Sequence, residues 1–287
     1  MHSSIALLAL AVASATAYTP ATNMAMVQEI NSMQSSWVAH MSPRFEDKPI
    51  EHVEQLCGTF LDPEVVTKLP SKEEIHPVEV EFFSAMAIPA EFDSRTAFPK
   101  CAKVIGHIRD QAQCGSCWAF ASTEAFNDRL CIASDGEFQT LLSPMDTVEC
   151  CGFFACQSMG CNGGQPGNAW KWFTKTGVVS GGDYTDIDAG TSCIPYQYVA
   201  GGDAPKIKCG KKCSESGYAT AYANDKHKAS SAYALKSIDA MQQDIMQYGP
   251  ISGAFVVYED FPAYKSGVYS HTTGKQLGGH AIKIIGW

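Results

Sequence analysis

Apolar residues at Met26, Ile30, Met33 and Trp37 recur at steps of four, three and four, which predicts a short amphipathic helix within residues 24–40. A polar stretch broken by Pro43 and Pro49 follows, then a second apolar set within residues 52–61: Val53, Leu56, Phe60 and Leu61. These elements are too few to enclose a core, so their predicted place is against a larger body. Residues 68–83 are charged and read as an exposed, cleavable linker. From Cys117 the pattern is helical again, with Trp118, Ala119, Phe120 and Ala121, then Ala125, Phe126 and Leu130, and Glu124, Asp128 and Arg129 between. Ser143-Pro144-Met145-Asp146 combines a hydroxyl cap, a first-turn proline and an early carboxylate, and so starts another helix. Residues 168–176, with Trp170, Trp172 and Phe173 and closed by Gly177, read as a buried helix whose aromatics belong to the core. After Val178-Val179 the chain is rich in Gly and Asp, the expected crossing between two halves. A last helix runs from a Ser237 cap through Ile238, Met241, Ile245 and Tyr248 to Gly249-Pro250. Strand-like runs at 251–258, 267–269 and 281–285 complete an α+β order: a helical half carrying Cys117, then a sheet-rich half, with no internal repeat.

The N-terminus changes the picture of compartment. Residues 5–12 form an apolar core, and Ala13-Ser14-Ala15 or Ala15-Thr16-Ala17 supplies a small-residue cleavage site, so residues 1–17 read as a secretory signal peptide. That run is far short of the roughly 20 residues a spanning helix needs, and no other stretch is long and apolar enough, so no membrane span is expected. A formal net charge of -9 argues against nucleic acid as partner, since Lys211-Lys212 and Lys226-His227-Lys228 are short, solvated pairs. Twelve cysteines in a chain routed to an oxidising compartment read as disulfides. The same residues could form a redox dithiol at Cys114 and Cys117, or a zinc site completed by Cys209 and Cys213, but cysteines at many other spacings disfavour both. No metal and no cofactor is expected.

Chemistry concentrates at Cys117. A thiol at a helix N-terminus meets unpaired N–H groups and the positive end of the dipole, which favour the nucleophilic thiolate. Its partner would be a base near in space and distant in sequence. Of eight histidines, His2 falls in the signal, His40, His52 and His76 precede the main body, and His107, His227 and His271 sit among polar or turn residues. His280 follows Gly278-Gly279 and opens a strand, where a sheet would hold its ring and the glycines leave room for a ligand. Gly163-Gly164 reads equally as a place of close backbone approach and as an ordinary tight turn.

The run Cys114-Gly115-Ser116-Cys117-Trp118-Ala119-Phe120, the Cys161-Asn162-Gly163-Gly164 motif, Gly249-Pro250, Tyr264-Lys265-Ser266-Gly267-Val268-Tyr269 and Gly278-Gly279-His280-Ala281 together resemble papain-family cysteine proteases of the cathepsin B-like kind. The resemblance spans nearly all of residues 88–287 and implies a papain-like two-domain fold. Leu56-Cys57-Gly58-Thr59-Phe60-Leu61 is similar to the cathepsin B propeptide segment that fills the active-site cleft, and Ile88-Pro89-Ala90-Glu91-Phe92-Asp93 to the start of the mature enzyme. Residues 18–87 would then be a propeptide that inhibits the enzyme, with Cys57 a spare buried thiol, and residues 88–287 the peptidase domain. The resemblance implies Cys117 as nucleophile, His280 as base and Gln111 as oxyanion donor, although Ala112-Gln113 departs from the family's glycine-serine. It implies Gly163, Gly164 and Gly279 against the substrate backbone, and Pro166 and Ala281 near the second specificity pocket. It also implies disulfides joining Cys101 to Cys131, Cys114 to Cys161, Cys150 to Cys209, Cys151 to Cys156 and Cys193 to Cys213.

Two departures shape the expected function. Cathepsin B carries a long occluding loop with a His pair that grips the substrate's C-terminal carboxylate, whereas residues 193–209 are few and contain no His. Endopeptidase action on protein or peptide substrates is therefore expected, by a monomer of the secretory pathway, in a lysosome or vacuole or outside the cell. The family's Asn-Ser-Trp motif would follow Trp287, so the sequence is expected to be a fragment with an incomplete right domain. The alternative is a catalytically impaired papain-fold chain acting as a binding or decoy protein.

Overall fold

The computed structural model describes residues 19–33, 36–61, 68–77, 87–198 and 208–287. The expected signal peptide lies outside these residues, as do residues 78–83 of the expected linker and 199–207 of the 193–209 stretch.

The N-terminal region contributes α1 (Met24–Ser32), β1 (Trp37–Ala39) and α2 (Ile50–Leu56). α1 ends earlier than the apolar spacing predicts, and Trp37 sits on a strand. Val27 and Ile30 of α1 pack with Trp37 and Ala39 against Ala263 of the main body, while Ile50 and Val53 of α2 pack against Val257. The few apolar residues of this region thus find their cover on another surface, as their number requires.

The main body begins its helical half with α3 (Cys117–Ala133), α4 (Pro144–Cys150) and α5 (Pro166–Lys175). α3 is buried on nearly every side, so its apolar residues recur at mixed steps rather than in one stripe. Trp118 and Phe126 pack with Trp172 and Phe173 of α5 on one flank. Phe120 packs with Met145 of α4 and Tyr196 on another. The Ser143 hydroxyl accepts from the Asp146 amide at 3.0 Å and Pro144 opens the helix, so α4 starts where its cap dictates. Disulfides join Cys101–Cys131, Cys114–Cys161, Cys150–Cys209, Cys151–Cys156 and Cys193–Cys213, which leaves no dithiol or zinc set among Cys114, Cys117, Cys209 and Cys213.

The second half holds α6 (Ile238–Tyr248), β2 (Ile251–Tyr258), β3 (Tyr264–Gly267) and β4 (Gln276–Ile284). The Ser237 hydroxyl caps α6 by accepting from Ala240 at 3.1 Å, and Gly249, at φ +94°, ends it. β2 and β4 pair antiparallel with Phe255 opposite His280, and β3 pairs with β1 of the N-terminal region. The strand expected at 267–269 lies earlier because Gly267, at φ +99°, turns the chain out of the ladder.

One expectation is corrected in part. Within residues 68–77, Lys68, Pro70, Glu73, Glu74 and Pro77 are exposed as a linker would be, but Leu69, Ser71 and Lys72 are buried, with Lys72 only 3% exposed. The burial of Lys72 is tolerated because it has a buried counter-charge, Asp244, in the main body at 2.9 Å. Among the described residues no helix is long and apolar enough to cross a membrane.

Candidate active site

Cys117 is the first residue of α3, 1% exposed and without a disulfide. The loop that delivers it is fixed from several sides. The Gly115 amide donates to Cys161 at 3.0 Å beside the Cys114–Cys161 disulfide. The Ser116 hydroxyl meets the Tyr196 hydroxyl at 2.9 Å, and the latter donates to the Gln111 carbonyl at 2.8 Å. Arg109, in turn, pairs with Asp183 at 2.7 Å and donates to the Leu142 and Gly182 carbonyls. Tyr196 and Arg109 were invisible as site supports in the sequence, because their partners come from remote loops. Between them Ala112 adopts φ +53°, the region where glycine is at ease, with its amide on Asp110 Oδ1 at 2.9 Å.

β4 presents His280 from the opposite half, its ring edge-on to Phe255 with centroids 5.9 Å apart. Burial alone would raise the Cys117 thiol. The hydrogen bond and charge of His280 oppose this, with the Thr59 hydroxyl and the Ala281 amide, and together hold it below its ordinary value of 9.0. Behind this pair, Lys283 of β4 lies 2.8 Å from Asp128 and 3.7 Å from Glu124 of α3, an ion-pair bridge between the helix bearing the thiol and the strand bearing the imidazole. Burial raises the Asp128 carboxyl to about 6. Gln111 Nε2 donates to the Cys114 carbonyl at 2.7 Å and to the Leu56 carbonyl, in the N-terminal region, at 3.0 Å.

The glycines hold the same N-terminal segment. Thr59 donates to the Gly279 carbonyl at 3.0 Å, Phe60 to the Gly164 carbonyl at 3.1 Å, and Gly164 to the Gly58 carbonyl at 2.9 Å. A Cβ on Gly163 would meet the Phe60 ring at 2.6 Å and one on Gly279 the Thr59 carbonyl at 2.1 Å, so these positions serve close approach. Pro166 lines a 440 Å³ cavity with Phe60, Leu61 and Ala254. Ala281 faces a different cavity, of 270 Å³, with Cys117, Gln111 and His280. The atom set against the sulfur is the Thr59 hydroxyl, at 3.1 Å. Cys57, the other free thiol, is half-buried near Gly278, and burial followed by the charges of Cys117 and Glu54 pushes it up to about 12, which makes it a poor nucleophile.

His52 of α2 faces Gln113 across the interface, with Nε2 atoms 3.0 Å apart. Burial, then the charges of Lys48 and Arg44, lower its pKa below 6.5. Between that lowered value and 6.5 the undocked segment binds more protons than the docked one. Docking is therefore at full strength above 6.5 and weakens as pH falls through that window. Exchange of the Thr59 amide, corrected for its intrinsic rate, is expected to accelerate on acidification in the native chain and to respond less in a His52→Asn chain; equal responses would exclude His52 as the titrating group.

A family model described as papain family cysteine protease matches residues 88–287, and one described as peptidase family C1 propeptide matches residues 23–63. The chain is 42% identical over 288 aligned residues to cathepsin B-like cysteine proteinase 4 of Caenorhabditis elegans, covering 93% of this chain and 80% of that protein. It is 45% identical over 279 residues to the gut-specific cysteine proteinase of the same organism, covering 93% and 77%. Among solved structures, procathepsin B S9 from Trypanosoma congolense matches with a TM-score of 0.79 at 27% identity, covering 94% of this chain and 84% of that one.

Proposed function

The chain belongs to the papain family of cysteine proteases and carries that family's propeptide; from this we propose that it is a secreted cysteine endopeptidase zymogen, with Cys117 as nucleophile and His280 as its proton carrier. The observation that carries the reading is the free Cys117 thiol at the head of α3, held below its ordinary pKa by an imidazole from the facing strand. The thiolate attacks the scissile carbonyl carbon. The oxyanion is held by the Gln111 side-chain amide and the Cys117 backbone N–H, His280 donates its proton to the leaving amine, and water hydrolyses the thioester. That Gln111 Nε2 already grips a peptide carbonyl, that of Leu56, supports its role as oxyanion donor. Gly163, Gly164 and Gly279 would align the substrate backbone, Pro166 would border a side-chain pocket and Ala281 would flank the sulfur. No cofactor enters this scheme.

The propeptide inhibits by occupying the cleft at the sulfur. At the sulfur stands the Thr59 hydroxyl, which has no acyl group to transfer, while the Gly58 and Leu56 carbonyls are bound by Gly164 and Gln111. Five disulfides suit folding in an oxidising compartment and support routing through the secretory pathway, to a lysosome or vacuole or outside the cell. The lack of any histidine in residues 193–209 supports endopeptidase over carboxydipeptidase action. After processing, peptides with free and with amidated C-termini are expected to be cleaved with comparable kcat/KM; a strong requirement for the free carboxylate would overturn the endopeptidase assignment.

A further inference from the structure

The propeptide makes a second anchorage beyond the cleft segment, beside the cavity that Pro166 lines. Ala234 and the segment 70–72 pair as strands: the Ala234 amide donates to the Pro70 carbonyl at 2.9 Å, and the Lys72 amide to the Ala234 carbonyl at 3.3 Å. Leu69 closes over Gly167, where an added Cβ would meet its Cδ1 at 2.9 Å. The Lys72 ammonium then enters a site built wholly by α6: Asp244 Oδ1 and Gln247 Oε1 each lie at 2.9 Å, and the Tyr248 ring centroid at 4.7 Å. Gln247 is oriented for this, since its Nε2 donates to the Tyr248 hydroxyl at 2.6 Å and leaves Oε1 for the ammonium.

The site does not depend on Lys72 for its own integrity. Asp244 is fully buried and also pairs with Arg129, while the Tyr233 hydroxyl donates to its Oδ1 at 2.8 Å. Arg129 is fixed by donating to the Pro250 carbonyl at 2.8 Å and to the Tyr233 hydroxyl at 3.2 Å. With the propeptide gone, the carboxylate keeps a cation and a hydroxyl, so no buried charge is stranded. Burial alone would raise Asp244, but the Arg129 and Lys72 charges and their hydrogen bonds hold it below its ordinary 3.8. Its contribution is therefore present above 3.8 and is lost only as pH falls below that.

We propose that Asp244, Gln247, Tyr248 and the Ala234 backbone form a docking site, adjoining the pocket that Pro166 borders, for an extended peptide bearing lysine three residues after an apolar residue. The propeptide's Leu69-Pro70-Ser71-Lys72 fills it in cis, and a free peptide of the same chemistry fills it once that segment is absent. Acceptors converging on one point suit the compact ammonium of lysine better than the planar fork of arginine. Main-chain pairing supplies affinity and the ammonium site the selectivity. The site rests on residues 18–87 being a removable propeptide, but not on any step of proteolysis.

The test uses the full chain and hydrogen exchange, which needs no turnover. In a Lys72→Met chain the Ala234 amide is expected to exchange faster by at least on the order of tenfold, while the Thr59 amide in the cleft keeps its protection. A synthetic peptide of residues 68–77 added to that chain is expected to restore Ala234 protection, its Lys72→Arg version less, and its Lys72→Met version not at all. A Gln247→Leu chain gives an independent variant with the same expected loss at Ala234. Unchanged Ala234 exchange in both variants, or equal rescue by the native and Lys72→Met peptides, would overturn the proposal.

Discussion

Cys117→Ala is expected to lower kcat for peptide hydrolysis by the processed chain by on the order of 10⁶, to the level left by binding and oxyanion contacts alone. His280→Ala should cost a comparable factor, and the double variant little more than either single one, because thiolate and imidazole act as one unit and the first loss removes what the second would disrupt. The arrangement behind this is electrostatic. Burial at 1% exposure works against a charged sulfur, and His280, Thr59 and the Ala281 amide reverse the balance, so the thiol is held below its ordinary value by its neighbours. A Cys117 pKa below 9.0 also has a stability signature. The ionised sulfur contributes fully above 9.0 and its contribution is lost as pH falls through the folded value. The Tm advantage of the native chain over Cys117→Ala should therefore shrink on acidification. Hydrolysis surviving in Cys117→Ala would exclude the sulfur as nucleophile, and a Tm difference constant with pH would exclude the shifted thiol.

The parts of this site that the sequence displayed are those carried by local rules. A cysteine before a helical run places a thiol at an N-terminus, Ser143-Pro144 and Ser237 announce where α4 and α6 begin, and glycine before His280 leaves room beside a strand. What stayed hidden depends on partners far along the chain. Lys283 reads as one more polar strand residue until Asp128 and Glu124 appear beneath it, 155 and 159 positions away. Lys72 was misjudged for the same reason: a charged residue in a charged stretch is ordinarily solvated, and only Asp244, on α6, makes its burial tolerable. The pattern Met26, Ile30, Met33, Trp37 fits a helix through its whole length, yet tertiary pairing with β3 draws Trp37 into a strand. Likewise Ala112, which the sequence marks only as a departure from the family's glycine, takes a left-handed backbone conformation with its amide on the Asp110 carboxylate.

Gly58→Ala is expected to weaken propeptide docking by on the order of 10²–10³. A Cβ at this position would lie 1.7 Å from the Gly115 carbonyl oxygen and 2.6 Å from the Gly115 Cα. Both are backbone atoms, and Gly115 is tied by its own amide to Cys161, so the enzyme cannot yield and the propeptide must lift. Lifting breaks the bonds from Thr59 to Gly279, from Phe60 to Gly164 and from Gly164 to Gly58. At a net contribution of about 1 kcal/mol per hydrogen bond, their joint loss amounts to roughly 3 kcal/mol, or about two decades of affinity. The readout is alkylation of Cys117 by a small haloacetamide in the unprocessed chain, located by peptide mapping. Cys57 is pushed up to about 12 only while it is docked, so its labelling is scored separately from that of Cys117 in the same mapping. Gly152→Ala is the matched control, since a Cβ there meets nothing within 4 Å. Faster labelling in Gly58→Ala with an unchanged rate in Gly152→Ala is the expected pair of results. If Cys117 stayed as protected in Gly58→Ala as in the native chain, the contact between Gly58 and Gly115 could not be what holds Thr59 over the sulfur.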